Sequence, residues 1–247
     1  MSLSILAIDT ATESCSAALW TPDGVIERRE EAGREAALRI LPLVDAVLRE
    51  AGTTLGALTA LAAGIGPGGF TGVRLSVAVA QGLAFGAGLP VVPVNTLEAL
   101  AHQALGGLAG TVPAQLQGGS LADDPQVLTC LDARMKEIYW ASYRRDAARG
   151  VVPVDAPALA TPQAVEAALR RRAWPAIGRG MHLLMRQGAW PTPCDAQALP
   201  RASDMAELAS LRLRSDAREA GELEPLYLRD KVAFTESERR TAPQVQR

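Results

Sequence analysis

Residues 6–20, LAIDTATESCSAALW, and residues 128–142, LTCLDARMKEIYWAS, follow one plan: an apolar run ending in an aspartate, a short polar turn, then a second apolar run. The two stretches share little identity. A plan that recurs by pattern in this way suggests an internal duplication and so constrains the fold. The expectation is an α/β chain of two related lobes. With 247 residues, 48% of them hydrophobic, the chain can bury one large core or two smaller ones.

The first copy reads as a β-hairpin, with a second turn signal at Pro22 to Gly24. Residues 34–51 then place Leu38, Leu41, Val44 and Leu48 on one helical face and Ile40, Leu43 and Val47 on another, so this helix has two surfaces to cover. Pro42 would cost about 3 kcal/mol in a helix interior, which predicts a start or a kink near it. LTALAAGIG reads as a buried strand, residues 71–88 as a long apolar helix stopped by GAGLP, and VVPV as a strand with an edge-type proline. Asn95 or Thr96 is expected to cap a helix through Leu105.

Residues 106–125, rich in Gly, Pro and polar side chains, read as a linker. The expected division is therefore an N-terminal lobe over 1–105, a C-terminal lobe over 106–235 and a polar, disordered tail over 236–247. In the second lobe Thr161 and Pro162 open a helix, WPAIG gives a strand, and Ser203 is expected to cap a helix with Met205, Leu208 and Leu211 as its core stripe. LEPLYLR is the last ordered feature expected.

The stretch GIGPGGFTGVRLS fits the dinucleotide pattern G-x-G-x-x-G at Gly64, Gly66 and Gly69. No acidic residue follows before Glu98 to hold a ribose, and Arg74 stands where no P-loop lysine does, so a tight turn launching a helix is the better reading. Amides at Gly66, Gly68, Gly69 and Thr71 remain a candidate anion site at that helix start. The helix carries small residues at Gly72, Ala78, Gly82 and Gly86, and each mid-helix glycine costs about 1 kcal/mol relative to alanine. Close approach of another helix offsets such a cost. The opposite positions, Val73, Val77, Ala80 and Ala84, leave Arg74, Ser76 and Gln81 as the polar exceptions. A helix apolar all round is either buried in its own domain or half covered by a partner, and beside the two-faced helix before it, this one points to a helix-pair interface.

Asp9 ends the first apolar run where an actin-like or sugar-kinase-like fold sets an acid beside a phosphate turn, and Asp132 holds the matching place in the second copy. The turn DTAT lacks the glycine that close phosphate approach uses, so a turn-forming role competes with a catalytic pair. His102 and His182 do not fit H-x-x-x-H or H-E-x-x-H, and Cys15, Cys130 and Cys194 give neither a zinc ribbon nor a disulfide framework. A net charge of −2 and 4% aromatic residues argue against unaided RNA binding. Arg170, Arg171 and Arg172 read as a solvated helix end. No basic and apolar leader is evident, and Gly, Pro or charge interrupts every long apolar stretch, so a soluble cytoplasmic protein outside the membrane is expected.

ILAIDTATESCSAAL, GIGPGGFTGVRLSVAVAQGLAFGAGLPVVPVNTLEALA, LDARMKEIYWA and PLYLR together resemble the TsaB (YeaZ) family over most of the chain. In the family's GPGSFTG loop, Gly69 replaces a common serine. The resemblance implies a two-lobed actin-like (ASKHA, RNase-H-like) fold with mixed sheets flanked by helices. It also implies a noncatalytic helper in making threonylcarbamoyladenosine in tRNA next to the anticodon, with no cofactor or metal of its own. The expected partners are TsaD, in a heterodimer, and the ATPase TsaE in a ternary complex, with a homodimer when TsaD is absent and tRNA met only through the complex. The implied pairing surface is the first-lobe helix pair, with Leu38, Leu41, Asp45, Leu48, Arg74, Val77, Ala78, Gln81, Gly82 and Phe85 as contacts and Asp9 as a vestigial active-site position. The alternative from a different class is an active metal- or ATP-dependent enzyme of the actin-like and glycoprotease superfamily.

Overall fold

In the computed structural model, which describes residues 3–116, 125–169, 172, 174–186, 188 and 193–229, the first copy of the plan becomes a meander. β1 (Ile5–Asp9) pairs antiparallel with β2 (Ser14–Thr21), and β2 with β3 (Gly24–Glu31). β4 (Ala60–Gly64) adds parallel to β1, and β5 (Val91–Val94) parallel to β4, giving the order β3-β2-β1-β4-β5. β1 and β4 are short continuous apolar runs because both sit inside the sheet with both faces covered. β5 is an edge strand, as Pro93 requires. β3, GVIERREE, was not legible as a strand: it is the opposite edge, largely open to water, and its charges obscure the alternation.

The second copy repeats the first element for element. β6 (Gln126–Asp132), β7 (Ile138–Asp146) and β8 (Gly150–Ala160) form the antiparallel part, and β9 (Ala176–Ile177) and β10 (Cys194–Asp195) add in parallel. The order β10-β9-β6-β7-β8 mirrors that of the first sheet. The helices follow suit: α1 (Ala36–Glu50), α2 (Phe70–Ala87) and α3 (Thr96–Ala104) stand in the chain where α4 (Pro162–Leu169), α5 (Met181–Met185) and α6 (Ala202–Asp216) do in the repeat.

These elements stack in five layers. α1 and α2 cover the outer face of the first sheet, with Ile40, Val44, Val47, Val77, Ala80 and Ala84 over Leu6, Ile8 and Leu61. α4 and α5 cover the outer face of the second sheet. Between the sheets lie the two exchanged helices: α3 packs on β6, β7, β8 and β9, while α6 crosses all five strands of the first sheet. One core joins both inner faces, from Ile5 and Val92 through Leu97, Leu100, Met205 and Leu208 to Tyr143 and Ile177. This is the two-lobed, actin-like α/β class with mixed sheets flanked by helices.

Several local expectations hold and others are corrected. Asn95 caps α3 by accepting from the Leu97 N–H at 2.8 Å, Thr161 Oγ1 accepts from the Ala164 N–H, and Gly88 ends α2 with φ of 65°. α1 runs through Pro42 from Ala36; the proline is on the exposed side, where water can reach the carbonyl it leaves unpaired. Val44 belongs to the buried face with Ile40 and Val47, not with Leu38 and Leu41, because α1 rests on β2 and β3 along that line. Ser203 does not cap α6. The helix begins a residue earlier, and its first amides are taken by Ser16 Oγ and the Glu27 carboxylate from the adjacent strands, a tertiary cap that local sequence does not reveal. Leu211 is half-buried, and the core place after Leu208 goes instead to Arg212. Arg170 and Arg171, residues 117–124 of the predicted linker and the predicted tail lie outside the described residues.

Candidate functional site

The loop before α2 and the turn after β1 lock together. The Gly69 N–H donates to the Ala11 carbonyl at 2.7 Å, and Thr10 Oγ1 donates to the Gly72 carbonyl at 2.7 Å. A Cβ at Gly68 would overlap the Ala11 carbonyl oxygen and one at Gly72 the Thr10 carbonyl oxygen, so both glycines serve close approach of the chain to itself. Of the candidate anion residues, Gly66 is buried beside the Leu226 carbonyl, Gly68 faces Ala11, the Gly69 amide is already bonded, and Thr71 is exposed.

Asp9 lies beneath this loop with no exposure. Its Oδ1 accepts from the Ala11 N–H at 3.2 Å, Oδ2 has no hydrogen-bond partner among the described residues, and a Cβ at Gly64 would overlap the carboxylate. Burial pushes its pKa up to about 7 against the opposing hydrogen bonds of the Ala11 and Thr10 amides. Asp132, its topological counterpart, is exposed and accepts from the Arg134 N–H at 2.7 Å. Both carboxylates accept from the amide two residues on, and they differ in burial.

The outer helices hold the rest of the predicted residues. On α1, Leu38 is 75% and Leu41 50% exposed; Asp45 is exposed and paired with Arg49, and Leu48 is half-buried against the core. On α2, Arg74, Ala78, Gly82 and Phe85 face outward, Phe85 at 85% exposure, and a Cβ at Gly82 or Gly86 would meet nothing within 4 Å among the described residues. Gln81 is half-buried and donates to the Leu223 carbonyl at 3.0 Å. Val77 is corrected: at 5% exposure it belongs to the core beneath α2 and is not on the open face. By length and composition α2 is apolar enough to cross a membrane, which no uninterrupted stretch was expected to be, yet Val73, Ser76, Val77, Ala80 and Ala84 are buried within the fold.

Local sequence missed the aromatic corner at the start of α2. The Arg74 guanidinium lies 3.6 Å from the centroid of Phe70 and 5.7 Å from that of Tyr227, and Arg74 Nε donates to the Tyr227 hydroxyl at 2.7 Å. Phe70 and Tyr227 are 42% and 45% exposed. The motif PLYLR was visible, but only the fold brings it beside α2, where the Leu226 N–H also donates to the Ile65 carbonyl. The outer surface thus presents exposed Leu, Phe and Ala side chains and bare glycines on two helices that cover the same core, with a cationic and aromatic corner.

Comparison with known proteins places relatives around this geometry. The sequence model of the family TsaD, tRNA N6-adenosine threonylcarbamoyltransferase, matches residues 24–155. The chain is 38% identical to the tRNA threonylcarbamoyladenosine biosynthesis protein TsaB of Escherichia coli strain K12, over 93% of this chain and 96% of that protein. It is 34% identical to the TsaB of Haemophilus influenzae, over 94% and 96%. Among solved structures, YeaZ from Pseudomonas aeruginosa superposes with a TM-score of 0.79 at 35% identity, covering 92% of this chain and all of that one.

Proposed function

The chain belongs to the TsaB family of tRNA threonylcarbamoyladenosine biosynthesis proteins, and from that premise we propose that it is a noncatalytic partner and activator of TsaD. Its role is in the formation of threonylcarbamoyladenosine in tRNA. In this reading TsaD transfers the threonylcarbamoyl group and this chain supports it through the outer helix pair, α1 and α2. TsaE joins the pair, tRNA is met only through the complex, the chain self-pairs when TsaD is absent, and the work takes place in the cytoplasm. The contact face then lies in an N-terminal lobe over 1–105, with a C-terminal lobe over 106–235.

The observation that carries this reading is the open face of Leu38, Leu41, Ala78, Gly82 and Phe85. Covering a Leu or Phe side chain is worth about 1.5–3 kcal/mol, so three such anchors from each partner supply about 9–18 kcal/mol against an association cost of about 4–15 kcal/mol. Bare glycines on the same face let a second helix approach closely. The turn around Asp9 is consistent with a noncatalytic role, since Asp9 has no exposure, its Oδ1 is bonded to the Ala11 N–H and the Ala11 carbonyl is taken by the Gly69 N–H.

Leu41→Glu and Phe85→Glu place charge on the open face without touching the core. Each is expected to lower co-purified TsaD at least tenfold and to depress tRNA modification in a reconstituted reaction, with an unchanged melting midpoint by circular dichroism. Full recovery of TsaD with both variants would overturn the assignment of this face.

A further inference from the structure

α3 and α6, neighbours in the middle layer, bring together three side chains that no spacing rule joins in sequence: His102, Asp204 and Glu207. Asp204 and Glu207 are three apart on α6 and share a face, with His102 opposite them on α3. One ligand atom from each lies within 4.8 Å of the other two. His102 Nε2 and Glu207 Oε2 are in hydrogen-bond contact at 2.9 Å, so they would part by only about 0.5 Å to reach the roughly 3.4 Å between two donors that each lie about 2.1 Å from a tetrahedral ion.

A histidine and a glutamate alone would be an ordinary half-buried ion pair. Asp204 makes the group different. It is 7% exposed, it adds a second carboxylate where there is one imidazole, and its Oδ2 has no hydrogen-bond partner among the described residues, a deficit that a bound ion would fill. Gly107 adds an independent sign. Its φ is 57°, and a Cβ there would stand 2.8 Å from Glu207 Oε2 and 3.7 Å from His102 Nε2, so the bare glycine keeps that side of both donors clear. The neighbouring Leu108 N–H donates to the same Glu207 oxygen at 2.9 Å and orients the carboxylate. The Glu207 side chain, 18% exposed against 4% for His102, marks the side open to solvent.

We propose that His102, Asp204 and Glu207 form a binding site for a divalent transition-metal ion such as zinc or cobalt, with one nitrogen and two carboxylate oxygens from the chain and the remaining positions left to water. That donor set suits borderline ions better than magnesium or calcium, which take oxygen alone. The ion would join α3, which rests on the second sheet, to α6, which rests on the first. The site is separate from the outer helix face and from Asp9.

The test uses the full-length, tag-free chain, stripped with chelator and titrated with Co2+ followed by visible absorption, and with Zn2+ followed by calorimetry. One ion per chain is expected, with d–d bands from Co2+ and a raised melting midpoint on loading. Asp204→Asn and Glu207→Gln are expected to weaken binding more than tenfold while keeping the circular dichroism of the parent. No saturable binding by the folded parent, or unchanged affinity in both variants, overturns the site. Should the variants fail to fold, zinc-edge X-ray absorption of the parent at one equivalent decides: an imidazole with oxygen neighbours supports the site, and oxygen alone overturns it.

Discussion

Asp9 shows how much of a residue's role depends on what surrounds it. An apolar run ending in aspartate was readable in both copies of the repeat, so the position was legible in the sequence. Its burial was not, because Gly64 and the loop at Gly68, some sixty residues away, press the chain against it. Burial raises the folded pKa to about 7, while the unfolded carboxyl keeps a value near 3.8. The folded chain therefore holds a proton that the unfolded chain releases between about pH 4 and pH 7. This contribution to stability is complete below about pH 4 and falls by up to about 1.4 kcal/mol per pH unit as the pH rises to about 7. Asp9→Asn retains an acceptor for the Ala11 amide and has no such proton to lose. It is expected to unfold at a higher urea concentration than the parent at pH 8 and to depend less on pH between 5 and 8. Asp204, shifted in the same direction by its burial, leaves some slope in both proteins. Parallel pH profiles for the parent and Asp9→Asn would refute the assignment.

Among the elements, α2 separates two kinds of glycine that look alike in sequence. Its length, its stop at Gly88 and its run of small residues were all legible, since helical spacing and a left-handed cap are local properties. Which side of the helix faces the sheet was not legible, because both sides are apolar; Val77 was therefore grouped with the contact residues although it is core. Likewise the exposed line of α1, Leu38 with Leu41, emerges only when Val44 is seen against the sheet. Gly72 is explained within the chain by the Thr10 carbonyl, whereas Gly82 has open space around it. Gly72→Ala is thus expected to destabilise the isolated protein by about 1–3 kcal/mol through overpacking. Gly82→Ala is expected to stabilise it by about 0.5–1 kcal/mol, since alanine favours the helix and meets nothing. If a partner helix packs against Gly82, the same substitution weakens the complex with TsaD. Urea denaturation of the free chain and an affinity measurement on the complex read the two effects separately, and an unchanged affinity would remove Gly82 from the contact surface.

At the scale of the whole molecule, the duplicated order of strands and helices makes two sheets, but the exchange of α3 and α6 makes them one body. Had each third helix stayed on its own sheet, the inner faces would meet only across a seam; instead they share a single core. The repeat was legible because it rests on two similar local patterns, while the exchange depends on contacts between residues a hundred positions apart. Arg212 is at the centre of that exchange. It is 3% exposed on α6, donates to Glu98 Oε2 on α3 at 2.6 Å, and donates through Nε and Nη2 to the carbonyls of Arg149 and Val151 at 2.9 and 3.1 Å. Removing this one side chain leaves a carboxylate and two carbonyls without their donors where the layers join. Breaking one half of a buried ion pair typically costs about 3–5 kcal/mol, well above the cost of an average surface change. Arg212→Ala is therefore expected to lose stability on that scale in urea, while Arg149→Ala, whose pair with Asp216 is more exposed, loses about 1 kcal/mol or less. Because the core is continuous, the parent should unfold in one step, with tryptophan fluorescence and far-ultraviolet circular dichroism changing together. Two separate transitions in the parent, or an Arg212→Ala variant as stable as Arg149→Ala, would mean that the sheets are held together elsewhere.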